Sequence, residues 1–363
     1  MPKLSIQSVK IRGAEISYRH SSPDEKSSEK SSEKSSSRSS SPQDSASPPI
    51  LLIHGAASAS NIWLNQLRPL AKHTHVYAID LPGHGNSQNI PSVPNNSSSV
   101  PKNTTSVPTN SGPSNSSSVP THPLVQHLDN SKHFKSISQK PSSSVPTHPG
   151  PSNSSSVPTD SSSVPTCSEL ICFYGSIISE FIQTLDIAPC ILVGHSMGGA
   201  IAIQATLQNP KLIAGLILAS TGPRLPVSQK LFDLIRNEFQ SLNSFLAKYA
   251  FSPSTPQSIV EKWTSQPIPT TREIAYADFK GCDELNLTPQ LPKLAATKTP
   301  AEITIIHGTE DIMVAPKDVD TLAHYLTQGK IHRIKGAGHM VFQESPEETN
   351  ALILAQLESL KQK

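Results

Sequence analysis

One serine in this chain sits where a serine can become a nucleophile. Gly194-His195-Ser196-Met197-Gly198 fits the pattern G-x-S-x-G and lies between an apolar run, Cys190 to Val193, and a glycine-rich helix start. A sharp turn from strand to helix leaves no room for bulk two residues before and two after the serine, which explains the glycines. The following helix directs free N–H groups and the positive end of its dipole at the same point. A serine hydroxyl is a weak nucleophile alone and needs an adjacent base, itself oriented by a third group. His339, in Gly336-Ala337-Gly338-His339-Met340, follows a strand-like run ending at Ile334 and has neighbours small enough for its loop to reach across. The acid should follow another strand, and the run from Glu302 to Gly308 leads into Thr309-Glu310-Asp311. Asp311 precedes His339 by 28 residues, room for one helix and one strand, and Glu310 is its rival. The loop Ser220-Thr221-Gly222 offers no carboxylate. An oxyanion needs two backbone N–H donors. Met197, directly after the serine, supplies one; the loop His54-Gly55-Ala56-Ala57 supplies the other, with Ala56 the best placed.

Other residues compete for these roles. The chain has 14 histidines, and His54, His84, His195 and His307 also fall at strand ends or in motif loops. His195 is expected to point away from its neighbour Ser196, and His307 to pack at a strand terminus. His73 and His75 have the H-x-H spacing of a metal pair but read as a strand edge, and nothing else completes a ligand set. No metal or organic cofactor is expected. Cys167, Cys172, Cys190 and Cys282 show no C-x-x-C spacing and read as buried or idle thiols.

The elements that must hold these groups follow from periodicity. Residues 4–11 and 14–19 alternate apolar and polar, an antiparallel pair with Gly13 at its turn. Ile50–Ile53 is a continuous apolar run of the kind buried on both faces, and His75–Ile79, Cys190–Val193, Leu216–Ala219, Glu302–Ile306 and Lys330–Ile334 read as further strands. Helices are expected at 61–71, 169–185, to about 208 after the serine, at 316–327 and at 345–361, the second with a stripe of Ile171, Tyr174, Ile178, Phe181, Ile182 and Leu185. Alternation of strand and helix predicts an α/β chain: a doubly wound, mostly parallel sheet covered on both faces. Segment 222–300 breaks the rhythm. It holds one clear helix, Gln229 to Tyr249, and proline-rich joints, and it reads as a helical cap. Its apolar residues Phe232, Leu234, Phe239, Leu246, Phe251 and Trp263 suit an apolar acyl pocket, and more of them suit the cap's own core. Arg224 is a possible anion contact that reads more simply as solvated.

Composition sets the domain boundaries. Serine and proline make up 90 of 363 residues, too many for a uniformly folded chain. They concentrate in two segments. Residues 21–49 contain one apolar side chain, Ala46, among repeated SSEK units. Residues 88–165 repeat NSSSVP or SSSVP at 96–101, 115–120, 142–146, 153–158 and 161–165. Each unit brings one valine and one proline, too little apolar surface to offset the entropy of ordering it, so both segments are expected to be disordered low-complexity insertions. The other 256 residues suffice for one large α/β core, built from 1–20, 50–87, 166–221 and 301–363 together with the cap. Net charge is +2, which speaks against a nucleic-acid surface as the main role. The N-terminus MPKLSIQSVKIRG lacks the apolar stretch of a secretory leader, and no apolar run nears the roughly 20 residues of a membrane helix. The simplest expectation is a cytoplasmic protein without a membrane span.

Five stretches together resemble a known family. LLIHGAASASNIW (51–63), IDLPGHGNS (79–87), LVGHSMGGAIA (192–202), IIHGTEDIMV (305–314) and IKGAGHMVFQESPEE (334–348) are similar, in order, to the lid-bearing serine esterases of the α/β-hydrolase fold, whose pattern is shared with epoxide hydrolases and haloperoxidases. The resemblance implies Ser196, Asp311 and His339 as the triad, in the order the fold uses, Ala56 and Met197 as the oxyanion hole, and 222–300 as the cap. Serine at the elbow, where epoxide hydrolases carry aspartate, points away from an alkyl-enzyme route. The implied activity is cleavage of a carboxylic ester or thioester of a small to medium, apolar acyl group through an acyl-enzyme. Acyl transfer or carbon–carbon bond hydrolysis with the same triad, and an idle fold used as a binding module, are the rivals. The expected partner is a small-molecule substrate, with 88–165 a possible protein-binding arm.

Overall fold

The computed structural model describes residues 2–23, 47–90, 168–297, 299–300, 302–326 and 329–362. Most of both low-complexity segments lies outside the described residues. Their ends do not. The second strand runs on through Ser22, and Ser21 is buried. Gln88 exchanges hydrogen bonds with Glu15, and Ile90 is buried in the core. Residues 21–22 and 88–90 thus belong to the folded part rather than to the insertions.

The described residues form an eight-stranded sheet. Strands β1 (Lys3–Ile11) and β2 (Ala14–Ser22) are the expected hairpin, turning at Arg12 and Gly13, both with positive φ. β3 (Ile50–Ile53), β4 (Val76–Ile79), β5 (Cys190–His195), β6 (Ile213–Ala219), β7 (Glu302–Gly308) and β8 (Gly329–Ile334) follow. The spatial order is β1-β2-β4-β3-β5-β6-β7-β8, antiparallel from β1 through β4 and parallel from β4 to β8. β3, β5 and β7 are buried along their whole length, as continuous apolar strands covered on both faces must be.

Strand order decides where a site can form. From β3 the chain goes one way to β4 and later returns to the other side as β5. The loops leaving β3 and β5 therefore part to opposite faces and open a crevice at the carboxyl edge. Ile53 pairs with Gly194, so the loop after β3 and Ser196 start side by side. β6, β7 and β8 lie outward from β5 in sequence order, which brings the loops carrying Asp311 and His339 along the same edge.

Helices cover both faces. α1 (Leu64–Leu70) follows a 3-10 turn at Ser60–Trp63, so the single helix expected over 61–71 is two pieces. α2 (Glu169–Thr184) starts at Ser168, whose hydroxyl accepts the Ile171 N–H, and buries the expected stripe except Leu185, which is partly exposed. α3 (Met197–Gln208) is buried almost all round, because it packs between β5, β6 and α2. Between β6 and β7 lie α4 (Gln229–Asn237), α5 (Leu242–Ala250), α6 (Gln257–Thr264), α7 (Arg272–Asp283) and α8 (Leu291–Ala296). The helix expected over 229–249 is broken at Glu238 by a 3-10 turn. The break lets Ile235, Phe239 and Leu242 all enter one apolar cluster. α9 (Pro316–Tyr325), α10 (Val341–Glu344) and α11 (Pro346–Lys361) complete the order.

One cluster of buried side chains lies on each face of the sheet. On the α1/α11 side Trp63 and Phe342 are fully buried with ring centroids 4.3 Å apart, and Phe342 also stacks edgewise on His195. This packing backs the serine turn. Trp63→Ala should lower unfolding free energy by about 3–5 kcal/mol, as removal of a fully buried aromatic does. A urea midpoint lower than wild type with unchanged slope checks it.

Candidate active site

Ser196 lies at the junction of β5 and α3 with φ 53° and ψ −119°, a conformation that costs energy for any residue with a Cβ. The surroundings hold it there. Its N–H donates to Ala219 at 3.0 Å, and the Thr221 hydroxyl donates to its carbonyl at 2.8 Å. A Cβ on Gly194 would lie 2.3 Å from the Gly198 carbonyl oxygen, and one on Gly198 would lie 2.3 Å from that of Ile53. The two glycines of the motif are thus required by contact, one across the turn and one against β3. Thr221, in the loop without a carboxylate, is a part of the site that motif reasoning missed.

Asp311 and His339 meet as expected. His339 Nδ1–H donates to Asp311 Oδ2 at 3.0 Å, while Oδ1 accepts the N–H groups of Met313 and Val314 at 2.9 and 3.0 Å. Burial opposes ionisation of Asp311. The charge and hydrogen bond of His339, the Val314 N–H and His307 outweigh it and bring the carboxyl down to about 2. Glu310 is exposed, and it is Asp311 that pairs with His339. The two loops are tied together, since Thr309 N–H donates to Ile334 and Glu310 N–H to Ala337. Glu344 accepts the N–H groups of Gly338 and Ser252, joining the His339 loop to the end of α5.

The remaining histidines sort by their partners. His307 Nε2–H donates to the Val314 carbonyl at 3.1 Å and also comes within 3.5 Å of Asp311 Oδ2. It packs at a strand end, and it backs the acid as well; burial lowers its pKa. His195 lines the same cleft as Ser196; its Nε2–H donates to the His339 carbonyl at 3.1 Å, and burial holds it neutral. His54 donates from Nδ1 to Gly55 and accepts the Leu81 N–H on Nε2, and burial lowers it to about 3. His75 stacks on His20, Nδ1 to Nε2 at 3.0 Å. Arg224 is exposed and reaches Asn286, away from the cleft. Cys190 and Cys282 are buried free thiols, but Cys172 is disulfide-bonded, contrary to the idle thiol expected; Cys167 lies outside the described residues.

Ser196, His339, Ala56 and Ala57 line one cleft together with Leu246, Trp263, Phe279 and Met313. Of the six apolar residues singled out in 222–300, Leu246 and Trp263 reach it; Phe232, Phe239 and Phe251 are buried in apolar clusters. Met197 is the first residue of α3, where an N–H has no partner within its helix. The Ala57 N–H donates to Asp278 Oδ2 at 2.9 Å and is thus taken. The motif IDLPGHGNS is scaffold: Asp80 accepts the N–H groups of Ser60 and Asn86.

A strained serine turn between a parallel strand and a helix, with a carboxylate–imidazole pair on the same sheet edge, defines the class of α/β-hydrolase-fold enzymes. Residues 50–352 match the model of the alpha/beta hydrolase family, and the chain belongs to that family. It is 28% identical over 199 residues to a putative non-heme bromoperoxidase of Mycobacterium tuberculosis, covering 50% of this chain and 73% of that one. It is 29% identical over 177 residues to the monoglyceride lipase of Homo sapiens, covering 45% and 55%. Among solved structures, an esterase from Thermogutta terrifontis superposes with a TM-score of 0.61 at 17% identity over 99% of each chain. An enol-lactonase from Burkholderia xenovorans does so with 0.62 at 15% identity, over 97% and 100%. These likenesses establish the fold. Among the described residues no helix is long and apolar enough to cross a membrane.

The lowered Asp311 has a consequence for stability. A carboxyl depressed on folding stabilises above its unfolded pKa of about 3.9, and that contribution is lost as pH falls through the folded value. Unfolding free energy should therefore drop between about pH 4 and about pH 2. Asp311→Asn should flatten that drop, read as the urea midpoint against pH.

Proposed function

We propose that this protein is a serine hydrolase that cleaves a carboxylic ester or thioester of a small to medium, apolar acyl group. The observation that carries the reading is the hydrogen-bonded Asp311–His339 pair, sharing one cleft with Ser196 and with the loop N–H of Ala56. With Nδ1–H committed to Asp311, the Nε2 lone pair of His339 is the one available as base. Ser196 Oγ attacks the acyl carbon while its proton passes to Nε2. The Ala56 and Met197 N–H groups stabilise the oxyanion. Collapse of the adduct breaks the acyl–oxygen or acyl–sulfur bond, and the leaving group takes the proton from His339. Water then attacks the acyl-enzyme, His339 accepts its proton, and the acid leaves as Ser196 Oγ regains its hydrogen.

Segment 222–300 acts as the cap in this reading. Its Leu246, Trp263 and Phe279 form the apolar wall against which an acyl chain would lie. No metal or organic cofactor enters any step.

Hydrolysis of p-nitrophenyl esters from acetyl to palmitoyl tests the proposal. Short and medium chains should be the best substrates, and Ser196→Ala should lower kcat by about 10³-fold or more while leaving the fold intact. Equal rates in wild type and variant would defeat it. A product yield that shifts from acid to a new ester on adding alcohol would instead favour transfer.

A further inference from the structure

A buried ionic cluster lies behind the cleft, built from residues that no motif connects. Asp278 Oδ2 accepts two hydrogen bonds at 2.9 Å, from the Ala57 N–H and from His84 Nε2–H. Its Oδ1 accepts the Tyr174 hydroxyl at 3.2 Å. Asp278 and His84 are fully buried, and Tyr174 nearly so. His84 also donates from Nδ1, to Pro82 at 3.1 Å. The Pro82 carbonyl and the Asp278 carboxyl each face a ring nitrogen, an arrangement that favours the charged form of the ring. Burial works against that charge, but the Asp278 carboxylate and its hydrogen bond raise the imidazole above its ordinary pKa. A buried charge pair is costly to assemble and costlier to break, because loss of either partner strands the other away from water.

The pair joins separate parts of the molecule. Asp278 stands on α7, within the excursion between β6 and β7. His84 belongs to the loop after β4, Tyr174 to α2 and Ala57 to the loop after β3. Around it, the Gly85 N–H donates to Pro269 at 2.7 Å and the Thr270 hydroxyl to Gly83 at 2.9 Å. Ala57 holds φ at 50°, which a residue with a Cβ adopts only when its surroundings enforce it. The Asp278 carboxylate is the side chain that takes its N–H. Ala56, one residue earlier, lines the cleft.

Resting on the hydrolase reading above, we propose that Asp278 is a positioning residue: it fixes the 55–58 loop so that the Ala56 N–H faces the reacting carbonyl, and it makes the seating of α7 a condition for a formed oxyanion hole. α7 is then the anchored part of the cap, and any opening that admits substrate occurs in helices other than α7. His84 serves by keeping Asp278 aimed.

Two readouts on the full chain test this. In steady-state hydrolysis, Asp278→Ala should lower kcat by about 10- to 100-fold with little change in KM, because an oxyanion donor acts mainly in the transition state. Asp278→Asn, which keeps one acceptor oxygen for the Ala57 N–H, should recover part of that loss. In hydrogen–deuterium exchange, residues 55–58 should exchange faster in both variants, relative to the β4 residues 76–79, with Asp278→Ala the greater. Exchange needs no turnover, so it decides the loop assignment even if the wild-type protein hydrolyses no ester and the function proposal fails. If Asp278→Ala does not fold, Asp278→Asn carries both readouts alone. Wild-type exchange at 55–58, or a loss seen in KM with kcat intact, would overturn the proposal.

Discussion

Gly198 and the end of β3 touch so closely that no side chain fits between them: a Cβ there would meet the carbonyl oxygens of Ile53 at 2.3 Å and His54 at 2.6 Å. Much of the site depends on that approach. It draws the first turn of α3 against the adjacent strand, forces Ser196 into its strained dihedral angles, and brings the helix N-terminus beside the loop carrying Ala56. The strain is sustained because several neighbours share in holding it. Ala219 and Thr221 bind the serine's own peptide groups, while Trp63 and Phe342 fill the space behind. A site of this kind is precise because its parts cannot relax one at a time.

Polar groups at the strand ends do the rest, and histidine is the residue chosen repeatedly. Each of His54, His195 and His307 spans a short gap between a strand end and a neighbouring loop. A neutral imidazole offers one donor and one acceptor on a rigid ring, which suits a buried junction where a charge would be expensive. His84 differs because Asp278 faces it. His339 differs again, because one of its nitrogens is taken by Asp311. Partners, not residue type, set these rings apart.

The regular parts of this molecule were legible in the chain. All eight strands appear where alternating or continuous apolar runs predicted them, because a strand's burial pattern is written in consecutive residues. The serine turn was legible for the same reason: its steric demands fall within five positions. Errors arose where the deciding contact was distant. The helix over 229–249 breaks because Phe239 and Leu242 must reach a shared cluster. The edges of the low-complexity segments were set too generously because Ser21, Gln88 and Ile90 gain their order from partners elsewhere in the chain.

The sequence by itself determined the fold class, the nucleophile turn and the candidates for base and acid, since periodicity and local sterics act over a few residues. Only the tertiary structure placed Asp311 against His339 and left Glu310 exposed, since a loop turns the two different ways. It alone revealed Thr221 under the serine and Asp278 behind the Ala56 loop. Asp278 stands 221 residues from Ala57 and 194 from His84. Nothing in the local pattern around an aspartate on an amphipathic helix distinguishes a solvated charge from one held at 0% exposure by three donors. That distinction is made by packing, which brings the donors together and removes the water that would otherwise compete for the carboxylate.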